Sequence, residues 1–361
     1  MSDDVPTIDL TPWSTDDEQA RRAVATAVDA ALQHSGFMLV TGHGVPSGTA
    51  ARTRQLSREF FALPRETKAA HAVSPLGGRG WLGPGAEANA YSEGGESPPD
   101  LKESLTYGAD RPTGIPEVDA VWFQPNPWPT EVAGLAEALT AHIAVMHALA
   151  DRLMSICAVA LGQDVDFFAA ATDHPTYTFN VNRYPPLTQV GAAAPGQFRI
   201  GPHTDFGTVT ILDREPGAGG LQVFTRDGEW VDAPFHPEAL TINVGDLLAR
   251  WSGDRWRSAR HRVLPPPESA PDEDLVSLVF FYETNHDALI ESMPAPVGVR
   301  QYPPVRAGDY LTEKYTAISV GGGRHRGRSV PGHHRSTVVS RRGWVVSTRC
   351  GRSAVRTTGG E

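Results

Sequence analysis

The chain has 361 residues, a net charge of −10, 40% hydrophobic residues and 20% charged residues, an ordinary composition for a globular protein with a substantial core. Arginine is concentrated in the C-terminal segment 321–361, and the rest of the chain is acidic enough to argue against nucleic acid as a partner. No apolar run is long enough to predict a membrane span. The acidic start of the chain has no signal-peptide pattern, so we expect a cytoplasmic protein, and we expect it to be a monomer.

The hydrophobic patterns within residues 1–175 predict an N-terminal region of helices and strands, which we expect to pack on the region after it. Residues 74–100 are rich in glycine, proline and serine, which predicts a long loop that covers a site or shapes its pocket. In chain order, the hydrophobic patterns predict a strand over 5–10, a helix over 16–33 with Ser14 or Thr15 as its N-cap, a buried strand over 36–41, a helix over 48–61, a strand over 101–107 and a helix over 130–161.

Residues 176–320 have the pattern of short strands separated by turns. An alternating strand over 176–184 opens this region, further strands follow to Tyr282, and a closing helix is predicted over 307–318. The pattern is typical of a double-stranded barrel, in which distant strands face each other across a narrow interior. The segment 321–361 is basic and has little periodicity, so we expect it to be a poorly ordered tail.

A candidate metal site is formed by His203, Asp205 and His261. Residues two apart on a strand point to the same face, so His203 and Asp205 can reach one ion, and His261 must arrive from a distant strand. Two imidazoles and one carboxylate make up the facial triad that holds non-haem Fe(II) and leaves positions open for oxygen chemistry. The short pattern His-x-Asp is common by chance, but the alternating strands and the glycine-rich turns around it favour a metal site over a surface histidine.

Several segments occur in a recognisable order and spacing, namely VPTIDL, GFMLVTGHGVP, FFALPRETK, DLKESLTYG, NRYPP, HTDFGTVTIL, GGLQVF, NVGDLLARWSGDRWRSARHRV and SLVFFYETNHDALI. Together they resemble the isopenicillin N synthase-like family of Fe(II)- and 2-oxoglutarate-dependent dioxygenases. The resemblance covers roughly residues 5–318.

The resemblance implies an α+β fold, with a distorted double-stranded β-helix (jelly-roll) barrel and flanking helices. It implies Fe(II) held by His203, Asp205 and His261, with 2-oxoglutarate and O2 as co-substrates. The implied reaction is the hydroxylation, desaturation or cyclisation of a small organic molecule, coupled to conversion of 2-oxoglutarate into succinate and CO2. Secondary metabolism, including antibiotic biosynthesis, is the setting that the family suggests.

One position departs from the family pattern. The family carries an arginine and a serine two residues apart on the strand after the distal histidine; Ser277 matches the serine, but Leu275 stands in place of the arginine. That arginine forks onto the distal carboxylate of 2-oxoglutarate, and a buried carboxylate without a partner is strongly destabilising. Strand alternation makes Arg257 the candidate replacement, since it places Arg260 and Arg262 on the outer face.

Tyr184 and Asn182 share one face of the predicted strand 176–184. By the resemblance, the Tyr184 hydroxyl contacts the carboxylate of 2-oxoglutarate, and Asn182 contacts the co-substrate or the substrate. Both residues can instead be ordinary barrel-lining side chains.

Two alternative functions stay open. The first is an Fe(II) oxidase of the same family that does not use 2-oxoglutarate, which Leu275 favours and which succinate formation would exclude. The second is a non-catalytic barrel that binds a small molecule; it predicts no Fe(II) binding and no effect of His203→Ala.

Overall fold

The computed structural model describes residues 5–72, 78–89 and 98–318. The predicted tail 321–361 lies outside the described residues, and so does part of the predicted loop 74–100. The described residues fall within one compact unit, in which helices and strands are mixed as the sequence predicts.

The helices and strands follow one another along the chain in largely the predicted order. The helices are α1 (Glu18–His34), α2 (Thr49–Phe61), α3 (Arg65–Ala69), α4 (Pro116–Trp122), α5 (Leu135–Ala160), α6 (Leu187–Val190), α7 (Asp246–Trp251) and α8 (Ala307–Ile318). The strands are β1 (Thr7–Asp9), β2 (Phe37–Thr41), β3 (Gly80–Leu82), β4 (Glu103–Gly108), β5 (Tyr177–Tyr184), β6 (Ile200–His203), β7 (Val209–Asp213), β8 (Leu221–Phe224), β9 (Trp230–Asp232), β10 (Leu240–Val244), β11 (His261–Val263), β12 (Leu275–Tyr282), β13 (Leu289–Ile290) and β14 (Val305–Arg306).

Two sheets form the barrel. The larger sheet has the strand order β1-β2-β10-β7-β12-β5-β4-β3, and the smaller sheet has the order β6-β11-β8-β9. Side chains from both sheets line a common cavity, which is the arrangement of a double-stranded jelly roll. The sequence pattern of short strands and turns therefore corresponds to the barrel that it predicts.

The N-terminal strands belong to the larger sheet. Strands β1 and β2 extend one edge of this sheet through the antiparallel pair of β2 with β10, and β4 and β3 extend the other edge through the pair of β4 with β5. The N-terminal region thus shares main-chain hydrogen bonds with the barrel strands, in addition to the side-chain packing that the sequence predicts.

The N-cap of α1 differs from the prediction. Asp17, rather than Ser14 or Thr15, precedes the first helical residue, and its Oδ1 accepts hydrogen bonds from the main-chain N–H groups of Gln19 and Ala20 at 2.9 and 3.1 Å. A side-chain cap must stand directly before the first turn to reach these donors. Because α1 begins at Glu18, the two earlier residues lie too far from them, and they belong instead to a 3-10 turn and its end.

Two further boundaries are corrected. Strand β3 lies within the predicted loop 74–100 and pairs with β4, opposite Ser104 to Thr106. Helix α5 begins at Leu135, later than predicted, because Gly134 before it has a φ of 81° and takes the left-handed conformation, which does not continue a helix.

Helix α5 is the central helix of the hydrophobic core. It packs against α1 and α2 and against strands β7 and β12 of the larger sheet. Its length and apolar composition would also suffice to cross a membrane. We interpret it as a core helix because its apolar stripe is buried in the core cluster, including Leu135, Leu139, Ile143, Met146, Leu149, Leu153 and Ile156.

His142 is a buried histidine of α5 that should make stability depend on pH. Its side chain is 1% exposed, and its Nδ1 has no hydrogen-bond partner among the described residues. Burial lowers the pKa of His142 to about 4, compared with about 6.5 for an exposed histidine. As the pH falls, His142 therefore binds a proton in the unfolded chain before it does so in the folded chain. The free energy of unfolding is thus reduced between about pH 6.5 and about pH 4, by up to about 3 kcal/mol.

We expect His142→Phe to remove this contribution, so that its free energy of unfolding falls less steeply with acid than that of the wild type. Urea unfolding at several pH values between about 4 and about 7 measures the two profiles. The exposed His236→Phe is the matched control and should retain the wild-type slope. Equal slopes for the wild type and His142→Phe would contradict the prediction.

Candidate metal and co-substrate site

The imidazoles of His203 and His261 face each other across two antiparallel strands. The two residues are directly opposite in the pair of β6 with β11, and their ring centroids are 4.2 Å apart. Asp205 follows β6, and its Oδ1 lies 3.5 Å from Nε2 of His203 and 3.6 Å from Nε2 of His261. The three ligand atoms lie within 4.8 Å of one another, so one ion can contact all three.

Hydrogen bonds determine which imidazole nitrogen faces this centre. Nδ1 of His203 lies 2.8 Å from the carbonyl oxygen of Gly201, and Nδ1 of His261 lies 3.2 Å from that of Ala259. A carbonyl oxygen can only accept a hydrogen bond, so each Nδ1 carries a proton and donates it. A neutral ring then presents the lone pair of Nε2 to the centre, which is the tautomer of a metal-ligating histidine whose other nitrogen bonds the main chain.

The carboxylate of Asp205 is oriented through its other oxygen. Oδ2 accepts hydrogen bonds from Thr210 Oγ1 at 2.6 Å and from Asn243 Nδ2 at 2.7 Å. Thr210 is on β7 and Asn243 is on the neighbouring β10. The larger sheet therefore fixes the carboxylate and leaves Oδ1 turned toward the two imidazoles of the smaller sheet.

The charges of the three groups suit a cation. Burial disfavours ionisation of Asp205, but the adjacent His261 and His203 and the hydrogen bond from Asn243 outweigh burial and hold the pKa of Asp205 well below its usual range. Burial also disfavours a charge on His203, yet its contacts with Asp205 raise the pKa of His203 overall. The carboxylate thus stabilises positive charge at this point, and two imidazoles with one carboxylate are the donor set that binds Fe(II) with open positions.

A cavity of about 510 Å³ adjoins the three ligands and extends between the two sheets. This volume lies in the range of small-molecule sites, about 300–1,000 Å³. Much of the lining is apolar and comes from both sheets, including Phe37, Leu212, Leu221, Val263, Leu275, Val279 and Phe281.

Three of the predicted co-substrate residues line this cavity, namely Tyr184 and Asn182 on β5 and Ser277 on β12. The strand register places Ser277 opposite Asn182 and Leu275 opposite Tyr184. Burial raises the pKa of Tyr184, so its hydroxyl stays protonated. Asn182 Oδ1 accepts a hydrogen bond from Ser104 Oγ at 2.7 Å. The side chains of Tyr184, Ser277 and Asn182 form a polar wall next to Leu275.

Arg257 is absent from the described residues that line the cavity, so its expected placement is wrong. Strand β11 begins only at His261, and residues 252–260 are turns and irregular backbone. Strand alternation therefore does not extend back to Arg257. Its Nη2 donates instead to the carbonyl oxygen of Thr225 at 3.2 Å.

Two arginines that the sequence reasoning missed line the cavity, Arg199 directly before β6 and Arg214 directly after β7. A register shift between β6 and β11 interrupts the alternation ahead of His203, so alternation could not place Arg199. A weaker signal was present, because a buried arginine needs an acidic partner and the acidic run 272–274 supplies one. Arg199 Nη1 lies 2.5 Å from Oε1 of Glu273.

The jelly-roll barrel and this donor set define the chain as a non-haem metal oxygenase, and comparisons with known proteins give the family. Residues 5–131 match the family model described as non-haem dioxygenase in morphine synthesis N-terminal, and residues 175–284 match the 2OG-Fe(II) oxygenase superfamily. The chain is 42% identical over 315 residues to validamycin A dioxygenase of Streptomyces hygroscopicus subsp. limoneus, covering 87% of this chain and 86% of that protein.

A second relative and a crystal structure point to the same class of enzyme. The chain is 31% identical over 306 residues to the 2-oxoglutarate-dependent dioxygenase tropC of Talaromyces stipitatus, covering 81% of this chain and 90% of tropC. The crystal structure of full-length Neurospora crassa T7H in complex with alpha-KG and thymine has a TM-score of 0.75 and 29% identity, and covers 87% of this chain and 96% of T7H.

The chain therefore belongs to the 2OG-Fe(II) oxygenase superfamily. It is an oxidoreductase that uses Fe(II) and 2-oxoglutarate, so the predicted class of enzyme, its fold and its cofactors are confirmed.

The hydrogen bonds to Asp205 Oδ2 should strengthen metal binding. We expect Asn243→Ala to weaken Fe(II) binding by about 10–100-fold, as is usual when a partner that orients a metal ligand is removed, and Thr210→Val to act in the same direction. Anaerobic Fe(II) titration of the purified variants measures the change.

Thr241→Val is the matched control for these variants. Thr241 is buried on the same strand as Asn243, whereas the hydrogen bonds to Asp205 Oδ2 come from residues 210 and 243. An Fe(II) affinity equal to that of the control in both variants would show that these hydrogen bonds do not hold the ligand.

Proposed function

We propose that His203, Asp205 and His261 hold the catalytic Fe(II), and that the protein oxidises a C–H bond of a small organic molecule of secondary metabolism. The observation that carries the proposal is the convergence of two Nε2 atoms and one Oδ1 within 4.8 Å. The outward atoms of the same side chains are engaged by the main chain or by the larger sheet, so the donors are oriented before a metal binds.

The chain's own residues position and shield the reaction. His203, Asp205 and His261 would hold Fe(II) and leave it open positions for oxygen chemistry beside the cavity. When bound there, Fe(II) and 2-oxoglutarate supply the oxidation, in which O2 converts 2-oxoglutarate to succinate and CO2 while the substrate is hydroxylated, desaturated or cyclised. The apolar side chains Leu212, Val279 and Phe281 limit water around the reacting groups.

The co-substrate would occupy the cavity between the metal ligands and the polar wall formed by Tyr184, Ser277 and Asn182. The hydroxyl groups of Tyr184 and Ser277 can donate hydrogen bonds to a carboxylate at that end of the cavity. Their position on the interior face of the larger sheet supports this assignment. Asn182 would act by holding Ser104 or by contacting the bound molecule.

A secondary metabolite is the substrate class that the relatives favour. The relative that is 42% identical is named for validamycin A, so validamycin A and related antibiotics are the first compounds to test. A gain of one oxygen atom in the product mass would indicate hydroxylation, and a loss of two hydrogen atoms would indicate desaturation or ring closure. The cytoplasmic location and the monomeric state stay predictions.

We expect the Fe(II)-loaded protein to form succinate from 2-oxoglutarate under O2, and Asp205→Ala to lose this activity by about 10³-fold or more because the facial triad is broken. Succinate measured by mass spectrometry gives the rate. The exposed Asp227→Ala should keep the wild-type rate.

The alternative of an Fe(II) oxidase rests on Leu275, and the same assay tests it. Substrate oxidation without succinate would overturn the proposal and support the oxidase. A protein that binds no Fe(II) would overturn both and leave the non-catalytic barrel.

A further inference from the structure

The co-substrate end of the cavity needs a positive charge that β12 does not supply. In the proposed binding mode, the distal carboxylate of 2-oxoglutarate lies in a mostly apolar barrel beside Leu275. Tyr184 and Ser277 can donate hydrogen bonds to it, but neither carries a charge. A buried carboxylate that lacks a cation is costly, so another element must provide one.

Arg199 lies at this end of the cavity. It directly precedes β6, its main-chain N–H donates to the carbonyl oxygen of Val263 at 3.0 Å, and it is 2% exposed while it lines the cavity. Its guanidinium carbon lies 5.3 Å from the centre of the Tyr184 ring. Because Tyr184 is the cross-strand partner of Leu275, the guanidinium lies next to the position where the resembling family carries its arginine.

An ion pair holds the guanidinium in this place. Nη1 of Arg199 lies 2.5 Å from Oε1 of Glu273, and Nη2 lies 3.3 Å from the main-chain oxygen of Glu273. Glu273 stands two residues before Leu275 in the chain. The same carboxylate accepts hydrogen bonds from the main-chain N–H groups of Ala218 and Gly219, so its charge is shared among several donors. A guanidinium has five N–H donors, which leaves donors for a second carboxylate.

The adjacent turn is shaped around the guanidinium. A Cβ atom at Gly219 would lie 2.8 Å from Nη1 of Arg199, and a Cβ atom at Gly217 would lie 2.5 Å from Cδ1 of Leu275. The Cβ atom at Gly219 would also lie 2.8 Å from the main-chain oxygen of Leu264. Because main-chain atoms cannot move aside easily, a side chain is excluded at Gly219, and the turn can approach the arginine closely.

Other cations near the cavity are directed elsewhere. Nη2 of Arg214 donates to the carbonyl oxygens of Ala233 and Pro234, and its guanidinium lies near the Phe235 ring rather than near Tyr184. The charge of Lys102 also acts on Tyr184, but Lys102 is bound to Glu87 and Ser104 and does not line this cavity among the described residues.

We propose that Arg199 anchors the distal carboxylate of 2-oxoglutarate, together with Tyr184 and Ser277, and replaces the arginine that Leu275 displaces. This assignment rests on the proposed function of the cavity. The cation then comes from Arg199, directly before β6 of the smaller sheet, and not from position 275 on β12 of the larger sheet. Glu273 is the residue that positions the Arg199 guanidinium.

Binding of 2-oxoglutarate to the anaerobic Fe(II) protein tests the assignment, and the charge-transfer absorption of the complex gives the dissociation constant. We expect Arg199→Gln to raise that constant by about 30-fold or more, as for truncation of one partner of a buried charge pair, with Fe(II) affinity unchanged. The second ligand is 2-oxobutyrate, which lacks only the distal carboxylate. Its dissociation constant should be the same in the wild type and in Arg199→Gln.

Further variants separate a binding role from a folding role. Arg199→Gln leaves Glu273 without its cation, so the double variant with Glu273→Gln removes both charges, and thermal melting checks that each variant is folded. In the double variant the preference for 2-oxoglutarate over 2-oxobutyrate should still be lost. Adding Leu275→Arg to Arg199→Gln should restore that preference, since it returns a cation to β12.

Arg257→Gln is the matched control, because it removes an arginine that does not line the cavity among the described residues, and it should leave the dissociation constant of 2-oxoglutarate within about threefold of the wild type. Arg214→Gln tests the other arginine of the cavity lining, which the assignment predicts to have a much smaller effect than Arg199→Gln. Wild-type binding by Arg199→Gln, or a large loss in Arg214→Gln instead, would overturn the assignment of Arg199 and leave the proposed function intact. Failure of the wild-type Fe(II) protein to bind 2-oxoglutarate would overturn the proposed function and the assignment with it.

Discussion

The antiparallel pairing of His203 with His261 is the interaction on which the site depends. It joins β6 and β11 in the smaller sheet and brings the two imidazoles together from distant parts of the chain. Asp205 follows β6, and its main-chain oxygen accepts a hydrogen bond from the N–H of Asp246 at 2.8 Å. Main-chain hydrogen bonds thus set the backbone of the site, and Thr210 and Asn243 of the larger sheet orient the carboxylate. The donor set exists only where the two sheets face each other.

The cavity combines polar and apolar lining residues. The candidate metal ligands, Tyr184, Ser277 and Arg199 supply polar groups, and Leu212, Val263 and Val279 supply apolar side chains. 2-Oxoglutarate carries a chelating 2-oxo acid and a second carboxylate joined by two methylene groups, so it requires both kinds of lining. Apolar lining lowers the local polarity and strengthens the electrostatic interactions of the polar groups.

Features set by local spacing could be predicted from the sequence, and features set by irregular backbone could not. The alternating pattern after them predicts His203 and Asp205 as candidate ligands, and the resembling segment around His261 predicts the third. Strand parity does not place Arg257, because turns and irregular backbone precede β11. It does not place Arg199 either, because a register shift lies between Arg199 and His203. Glu273, the partner of Arg199, is distant in the chain, so no local pattern joins the two.

Moving the cation from β12 to the start of β6 has a structural consequence. The position of Leu275, where the resembling family carries its arginine, is on β12 of the larger sheet, whereas His203 and His261 are on the smaller sheet. The distance from a cation at that position to the two histidines would depend on how the sheets pack. His203 instead lies four residues after Arg199 on one chain segment, a span of at most roughly 13 Å between Cα atoms. The chain connection therefore limits how far apart the two main-chain positions can lie. This arrangement requires a buried arginine paired with Glu273 and a turn at Gly219 that approaches the arginine closely.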